Sequence, residues 1–427
     1  MSTANTAVSP GGGVWAEVAG QTRAIAQFSK AARAARALVA AKTNAESLFA
    51  DLEDSPDTAS DPVATSAMTH AWLVVGPPGS GRSVAARSFA AALECSNPDE
   101  PGCGTCESCR MVRSGVHPDV SEINTELISI SVDEIKKTVA DVYRVPAISP
   151  WRVIIIEDYD RISEKSSNVL LKAIEEPPER TVWVLCAPSA TSVLPTVRSR
   201  CRLVQLSLPS VNAVAELLVR RDNIDAMVAA EVAAESGSHI GRARALAQDP
   251  DLRSQREQML RLVAGIKTSS QAVWTAAALN TYAKEQAEAL QNASERSDAN
   301  EVLRVFGLEP DTPEADLPKN IKAMLRRSKE ETRQRQKRSQ LDAWDRILED
   351  ITGLYRDVLM TQLGSTSQLI NPRLRQVTTQ LANRAGSERA GLEHTTEKIE
   401  AIRHCRRRLM ANCAIPLAIE AMCIQLI

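Results

Sequence analysis

Trp72-Leu73-Val74-Val75-Gly76-Pro77-Pro78-Gly79-Ser80-Gly81-Arg82-Ser83 reads as a buried strand that runs into a glycine-rich loop and then a helix. Four apolar residues without polar alternation mark a strand covered on both faces. The glycines let backbone N–H groups turn inward around an anion, and a helix N-terminus favours negative charge there. The pattern is that of a phosphate-binding loop with one departure: Arg82 stands where lysine is the rule. A planar guanidinium is larger than an ammonium and does not replace it neutrally. Gly76, Pro77, Pro78, Gly79, Ser80, Gly81, Arg82 and Ser83 are the nucleotide-binding candidates, with Ser83 the candidate Mg²⁺ ligand. The alternative is a loop kept by the fold that binds nucleotide weakly or not at all.

Working outward, short apolar runs at Val120–Ile123, Val153–Ile156, Val182–Leu185 and Arg202–Leu206 predict further strands. Helices are expected at Ser83–Leu93, at Val132–Val142 behind a Ser131 cap, and through Asn168–Glu176, where Pro177-Pro178 ends it. Strand and helix alternating in this way give an α/β core, a parallel sheet with helices on both faces. The Val153–Ile156 strand ends in Glu157-Asp158. A carboxylate at such a strand end holds the water shell of Mg²⁺, and its neighbour orients an attacking water. The order here is Glu then Asp, and the shorter second side chain reaches less far. The bland reading is that the pair caps the sheet edge or faces a neighbouring subunit.

Cys95, Cys103, Cys106 and Cys109 fall within fifteen residues, and two Cys-x-x-Cys steps share Cys106. Pro101, Gly102 and Gly104 supply tight turns between them. Four thiolates in one loop suit tetrahedral Zn²⁺, and a full set of protein ligands makes the metal structural, not catalytic. Of the nine cysteines, Cys186, Cys405, Cys413 and Cys423 read as small buried hydrophobes.

Aromatics are 3% and hydrophobics 44% of 427 residues, which suits Ala- and Leu-rich helical domains beside the sheet. A net charge of −2 excludes a wholly basic nucleic-acid coat protein. No apolar run reaches membrane-span length and no secretion signal is evident, so a cytoplasmic protein with no membrane partner is expected. Residues 1–13 read as a disordered tail, Trp15–Ala41 as helical, and 42–69 as a mobile acidic insertion. Beyond Pro209 only helical patterns remain. Arg326, Arg327, Lys329, Arg333, Arg335, Lys337 and Arg338 form a basic stretch interrupted by Glu330 and Glu331, a solvated helix face or a sequence-independent DNA contact. Leu341, Trp344, Leu348, Ile351, Tyr355, Val358 and Leu359 then make an apolar stripe.

The phosphate loop, the four-cysteine insertion, His117-Pro118-Asp119-Val120, Leu170-Leu171-Lys172-Ala173-Ile174-Glu175-Glu176-Pro177-Pro178 and Ser199-Arg200-Cys201 together resemble the bacterial clamp-loader ATPase family. The resemblance runs from about Val14 to the C-terminus and is weakest between Arg256 and Asp350. The degenerate loop, the swapped acidic pair, and Asn412, Pro416, Leu417 and Glu420 in the last helix are similar to the family's delta-prime branch, of an actinobacterial kind, more than to gamma/tau. The resemblance implies an AAA+ core over 14–206 with a zinc module at 95–109, a small helical lid over 207–255, and a helical collar over 256–427. It implies gamma/tau and delta subunits as partners in a heteropentamer of the DNA polymerase III holoenzyme, a sliding clamp, and primed DNA. In that family the Ser-Arg-Cys motif supplies an arginine finger to a neighbour's ATP, a role that falls on Arg200. The family's second sensor arginine falls on Gly241, with Arg242 one step later, which counts against hydrolysis in cis. Two rivals stay open: an active gamma/tau-type ATPase subunit, and a zinc-bearing DNA-binding scaffold.

Overall fold

A computed structural model describes residues 12–48, 67–124, 130, 132–143, 145–294, 319–366 and 368–427. The tail through residue 11, residues 49–66 of the acidic insertion, and the Ser131 cap lie outside the described residues. Two compact units are present. One gathers residues within Met1–Thr125, Ser129–Ala233 and Ser238–Arg244; the other consists chiefly of Ala245–Ile427.

The first unit is built on five parallel strands: β1 (Ala71–Val75), β2 (Val120–Ile123), β3 (Arg152–Ile156), β4 (Thr181–Ala187) and β5 (Arg202–Gln205). Their spatial order is β2-β3-β4-β1-β5, so β1 lies between β4 and β5 and is buried at every residue. Side chains on a strand alternate between faces, and the sheet divides its apolar residues accordingly. Trp72, Val74, Val153, Ile155, Val182 and Val184 pack with α1 (Thr22–Leu48) and α2 (Arg82–Leu93). Leu73, Ile154, Ile156, Trp183 and Leu185 face the opposite core, with α4 (Val132–Val142) and α5 (Glu164–Glu175). Between α2 and β2 lies α3 (Glu107–Arg113), which follows the cysteine loop.

Few as the aromatics are, four of them meet on the first face. Phe28 lies 4.5 Å from Phe89, 5.5 Å from Trp72 and 6.3 Å from Trp15, centroid to centroid. These pairs fasten α1, β1, α2 and the 3-10 turn Gly13–Glu17 into one layer. The helical periodicity read over Trp15–Ala41 is broken: the turn at Gly13–Glu17 precedes α1, and Gly20, at φ +69°, lies between them.

His117 and Asp119 are buried ahead of β2. The Asp119 carboxylate accepts from three successive backbone amides, Ala147 (2.6 Å), Ile148 (2.9 Å) and Ser149 (3.1 Å). It therefore fixes the loop that leads into β3. The unit continues through a four-residue helix, α6 (Pro195–Arg198), then α7 (Val211–Asp222) and most of α8 (Ala226–Glu235).

The second unit is helical: α10 (Pro250–Ala264), α11 (Ser269–Ser294), α12 (Lys319–Gln362), α13 (Arg375–Ala385), α14 (Arg389–Met410) and α15 (Ile415–Gln425), after α9 (Ile240–Gln248). The apolar stripe of α12 is internal to it: Trp344, Leu348, Ile351 and Tyr355 are buried among Leu260, Leu279, Cys405 and Met422. Arg256, also buried, donates to Asp350 (2.7 Å), to Asn371 Oδ1 (2.8 Å) and to the Glu235 carbonyl (3.1 Å). A charge so enclosed requires this full set of partners. Cys186, Cys405 and Cys423 are buried as expected, but Cys413 is exposed. It lies in the turn between α14 and α15, where Asn412 takes φ +59°, and no helix face carries it inward. No described helix is long and apolar enough to cross a membrane.

Replacing Asp119 by Ala is expected to leave three amides without their acceptor and to cost on the order of 3 kcal/mol. Thermal unfolding monitored by circular dichroism measures it; a midpoint within a degree of wild type contradicts the assignment.

Candidate functional site

The glycine-rich loop stands at the C-terminal end of β1, the position that ligands occupy in open α/β sheets. Gly79 and Gly81 take φ +82° and +85°. At Gly79 a side chain is excluded by space as well: a Cβ there would lie 2.6 Å from the His239 ring. Gln21 anchors the loop from the other side, its amide donating to the carbonyls of Ser80 (3.3 Å) and Ser207 (2.6 Å) while Ser207 N–H donates back (3.2 Å). The glycine conformations and these hydrogen bonds set the shape of the loop that leads into α2.

The charged side chains beside the loop are engaged elsewhere. Arg82 folds back to donate to the Gly76 carbonyl and comes within 4.0 Å of the Asp158 carboxylate. Asp158 also pairs with Arg161 at 3.3 Å. Burial pushes the Glu157 carboxyl above the usual carboxylate range, against the pull of the Ser83 hydroxyl and Arg87. Arg87, one turn along α2, binds Glu122 of β2 through Nε at 2.7 and 2.8 Å and Glu157 through Nη2 at 3.1 Å. Glu157 and Asp158 are therefore drawn to the loop, as their place in the sequence predicts. They neutralise Arg82 and Arg87 there. The reversed order has a local cause: Asp158 sits at φ 50°, ψ 48°, a left-handed conformation that short Asp tolerates better than most residues.

Sequence reasoning missed Arg87, Glu122 and His239. Glu122 carried a signal, being a carboxylate inside a short strand beside β3, where it pairs with Ile155. Arg87 and His239 carried none, because their roles depend on contacts between segments far apart in sequence. Gly241 lies beside His239, and the Arg242 N–H donates to its Nδ1 at 3.3 Å.

Arg200 stands apart from the loop. It follows α6 and donates to the Thr196 carbonyl (2.7 Å) and Ser199 Oγ (3.4 Å), and it forms an ion pair with Glu175 at the end of α5. Its side chain is 39% exposed. Arg202, next along, lies over the Trp72 ring at 5.6 Å.

The thiol sulfurs of Cys95, Cys103, Cys106 and Cys109 all lie within 4.8 Å of one another. Tetrahedral Zn–S bonds of about 2.3 Å place sulfurs about 3.8 Å apart, and Cys95 and Cys106 are already 3.9 Å apart. Backbone amides point at the sulfurs: Cys106 N–H to Cys103 (3.3 Å), Cys109 N–H to Cys106 (3.5 Å) and Cys103 N–H to Cys95 (3.5 Å). Cys106 caps α3, where the helix end favours a thiolate. A hydrogen bond from the Cys109 thiol pulls Cys95 down to about 4, and the same bond together with burial pushes Cys109 up. The cluster is compatible with a structural zinc site. Gly102 joins it to the N-terminal turn, its carbonyl accepting from Val14 N–H at 2.9 Å.

Residues 57–210 match the family described as "DNA polymerase III, delta subunit". Over this stretch the chain is similar to subunits of the AAA+ clamp-loader family. The delta' subunit of DNA polymerase III from Pseudomonas aeruginosa is 32% identical over 203 residues, covering 46% of this chain and 60% of that one. The tau subunit from Bacillus subtilis is 35% identical over 136 residues, 31% of this chain and 24% of that one. The chain thus spans less than two thirds of the length of these relatives, 60% of the first and 24% of the second. A DNA polymerase III gamma subunit-related protein from Thermotoga maritima aligns in structure at 17% identity, covering 83% of this chain and 93% of that one, with a TM-score of 0.36.

Proposed function

We propose that this chain is a delta-prime-type subunit of a DNA polymerase III clamp loader, a cytoplasmic protein that supports hydrolysis at a neighbour's site and not at its own. The observation that carries the reading is the engagement of the loop's own side chains: Arg82 with Gly76 and Asp158, and Ser83 and Arg87 with Glu157. Nucleotide entering this loop would have to break these contacts before any cation or hydroxyl reached a phosphate. The gamma/tau-type alternative requires them free. The core over 14–206, the lid over 207–255 and the collar over 256–427 are the corresponding functional parts, the collar joining the gamma/tau and delta subunits.

Arg200 is the residue that acts outward. A guanidinium reaching a partner's γ-phosphate stabilises the charge that spreads over the phosphoryl oxygens in the transition state. Leaving Glu175 for that position costs little, since a half-exposed ion pair contributes about 0.2–1 kcal/mol. The assembly then opens a sliding clamp and places it on primed DNA. Zinc held by Cys95, Cys103, Cys106 and Cys109 would supply a rigid, closed four-sulfur centre that fixes the loop between α2 and α3; the chain's own N–H groups orient the thiolates.

Arg200→Ala in a reconstituted loader with clamp and primed DNA is expected to lower ATP turnover at least about tenfold. A finger contributes about a thousandfold or more at the single site it serves. Unchanged turnover, with assembly intact on a sizing column, contradicts the role. Metal analysis is expected to return one zinc per chain. Cys106→Ser is expected to lose it, and also to lower the thermal midpoint. Zinc content unaltered by that substitution excludes the site.

A further inference from the structure

The basic stretch of α12 is not absorbed by this function, and its surroundings give it a partner. Four cations fall between Arg333 and Arg338 without an acid, and four more between Arg403 and Arg408 near the end of α14. The whole chain carries −2, so positive charge is segregated into these two segments. They are brought together in the second unit: Lys337 Nζ donates to Asn412 Oδ1 at 2.9 Å, and Arg406 reaches Asp345 (2.6 Å) and Glu349 (3.6 Å) on α12.

Among the described residues, carboxylates engage part of this charge. Asp342 pairs with Arg338 at 3.4 Å, Asp345 and Glu349 share Arg406, and Glu400 is shared by Arg403 (3.5 Å) and Arg407 (3.1 Å). Lys337 meets only a neutral amide there, and neither Arg333 nor Arg408 has a carboxylate partner among the described residues. Arg333, Lys337, Arg403, Arg407 and Arg408 are all exposed. Exposed cations clustered on two neighbouring helices attract a polyanion. No Phe, Tyr or Trp lies in either segment, so the surface offers nothing on which a base can stack.

We propose that this face of the second unit binds the phosphate backbone of a nucleic-acid strand, without sequence preference. The inference rests on charge and placement within the second unit and does not depend on the clamp-loader reading, so either can fail alone.

The test is fluorescence anisotropy of the full chain with a labelled thirty-residue oligothymidylate, in salt from 50 to 200 mM. About four phosphate contacts at a slope of about −0.7 each predict a fall of about fifty-fold in affinity over that range. Lys337→Glu combined with Arg407→Glu is expected to weaken binding at least tenfold and to flatten the slope by about 1.4. The thermal midpoint should hold, both residues being exposed, and Lys165→Glu on the first unit should bind as wild type. Binding unchanged in the double variant overturns the proposal, as does no binding at 50 mM salt. Tighter binding to a labelled polyglutamate than to the oligonucleotide also overturns it, in favour of an acidic protein partner.

Discussion

Glu157 follows strand β3 with only 19% of its side chain exposed, and an ionised carboxylate in such a place needs a cation and a hydrogen-bond donor nearby. Arg87 and Ser83 provide them. The rest of the site follows from this arrangement. Arg87 is placed by α2, α2 is aimed by the glycine loop, and the loop is held between Gln21 and His239. Its neighbour Asp158 turns the chain in a left-handed conformation and draws in Arg82 and Arg161. A loop shaped for phosphate thereby has its charged side chains satisfied from within the protein.

The same economy separates the two arginines of interest. Arg82 is 14% exposed and committed to the loop; Arg200 is 39% exposed and paired only at the surface. Releasing the first disturbs partly buried charges. Releasing the second costs no more than an exposed ion pair. On the proposed function, a subunit built this way is inert toward its own nucleotide and able to assist another's.

Much of this was legible in the sequence, for identifiable reasons. Buried parallel strands are runs of apolar residues, so β1, β2 and β3 lie where Trp72–Val75, Val120–Ile123 and Val153–Ile156 predict them, within a residue. The cysteine spacing converges because its four members share one short loop. Contacts between distant segments were not legible. Arg87 with Glu122, His239 against Gly79, and the buried Arg256 network in the weakest-matching stretch exist only once the chain has folded. Cys413 went wrong for the opposite reason: its composition suggested burial, and a turn placed it outside.

The central claim is that the loop's own side chains close it to catalysis. The direct measurement is ATP turnover, with labelled-ATP binding, by the isolated chain and by an Arg82→Lys, Arg87→Ala variant. The account predicts no turnover above background for wild type and weak binding that strengthens in the variant, as Ser83 and the loop are released. Turnover by the wild-type chain alone, abolished by Ser83→Ala, would contradict it and make this an ATPase in its own right.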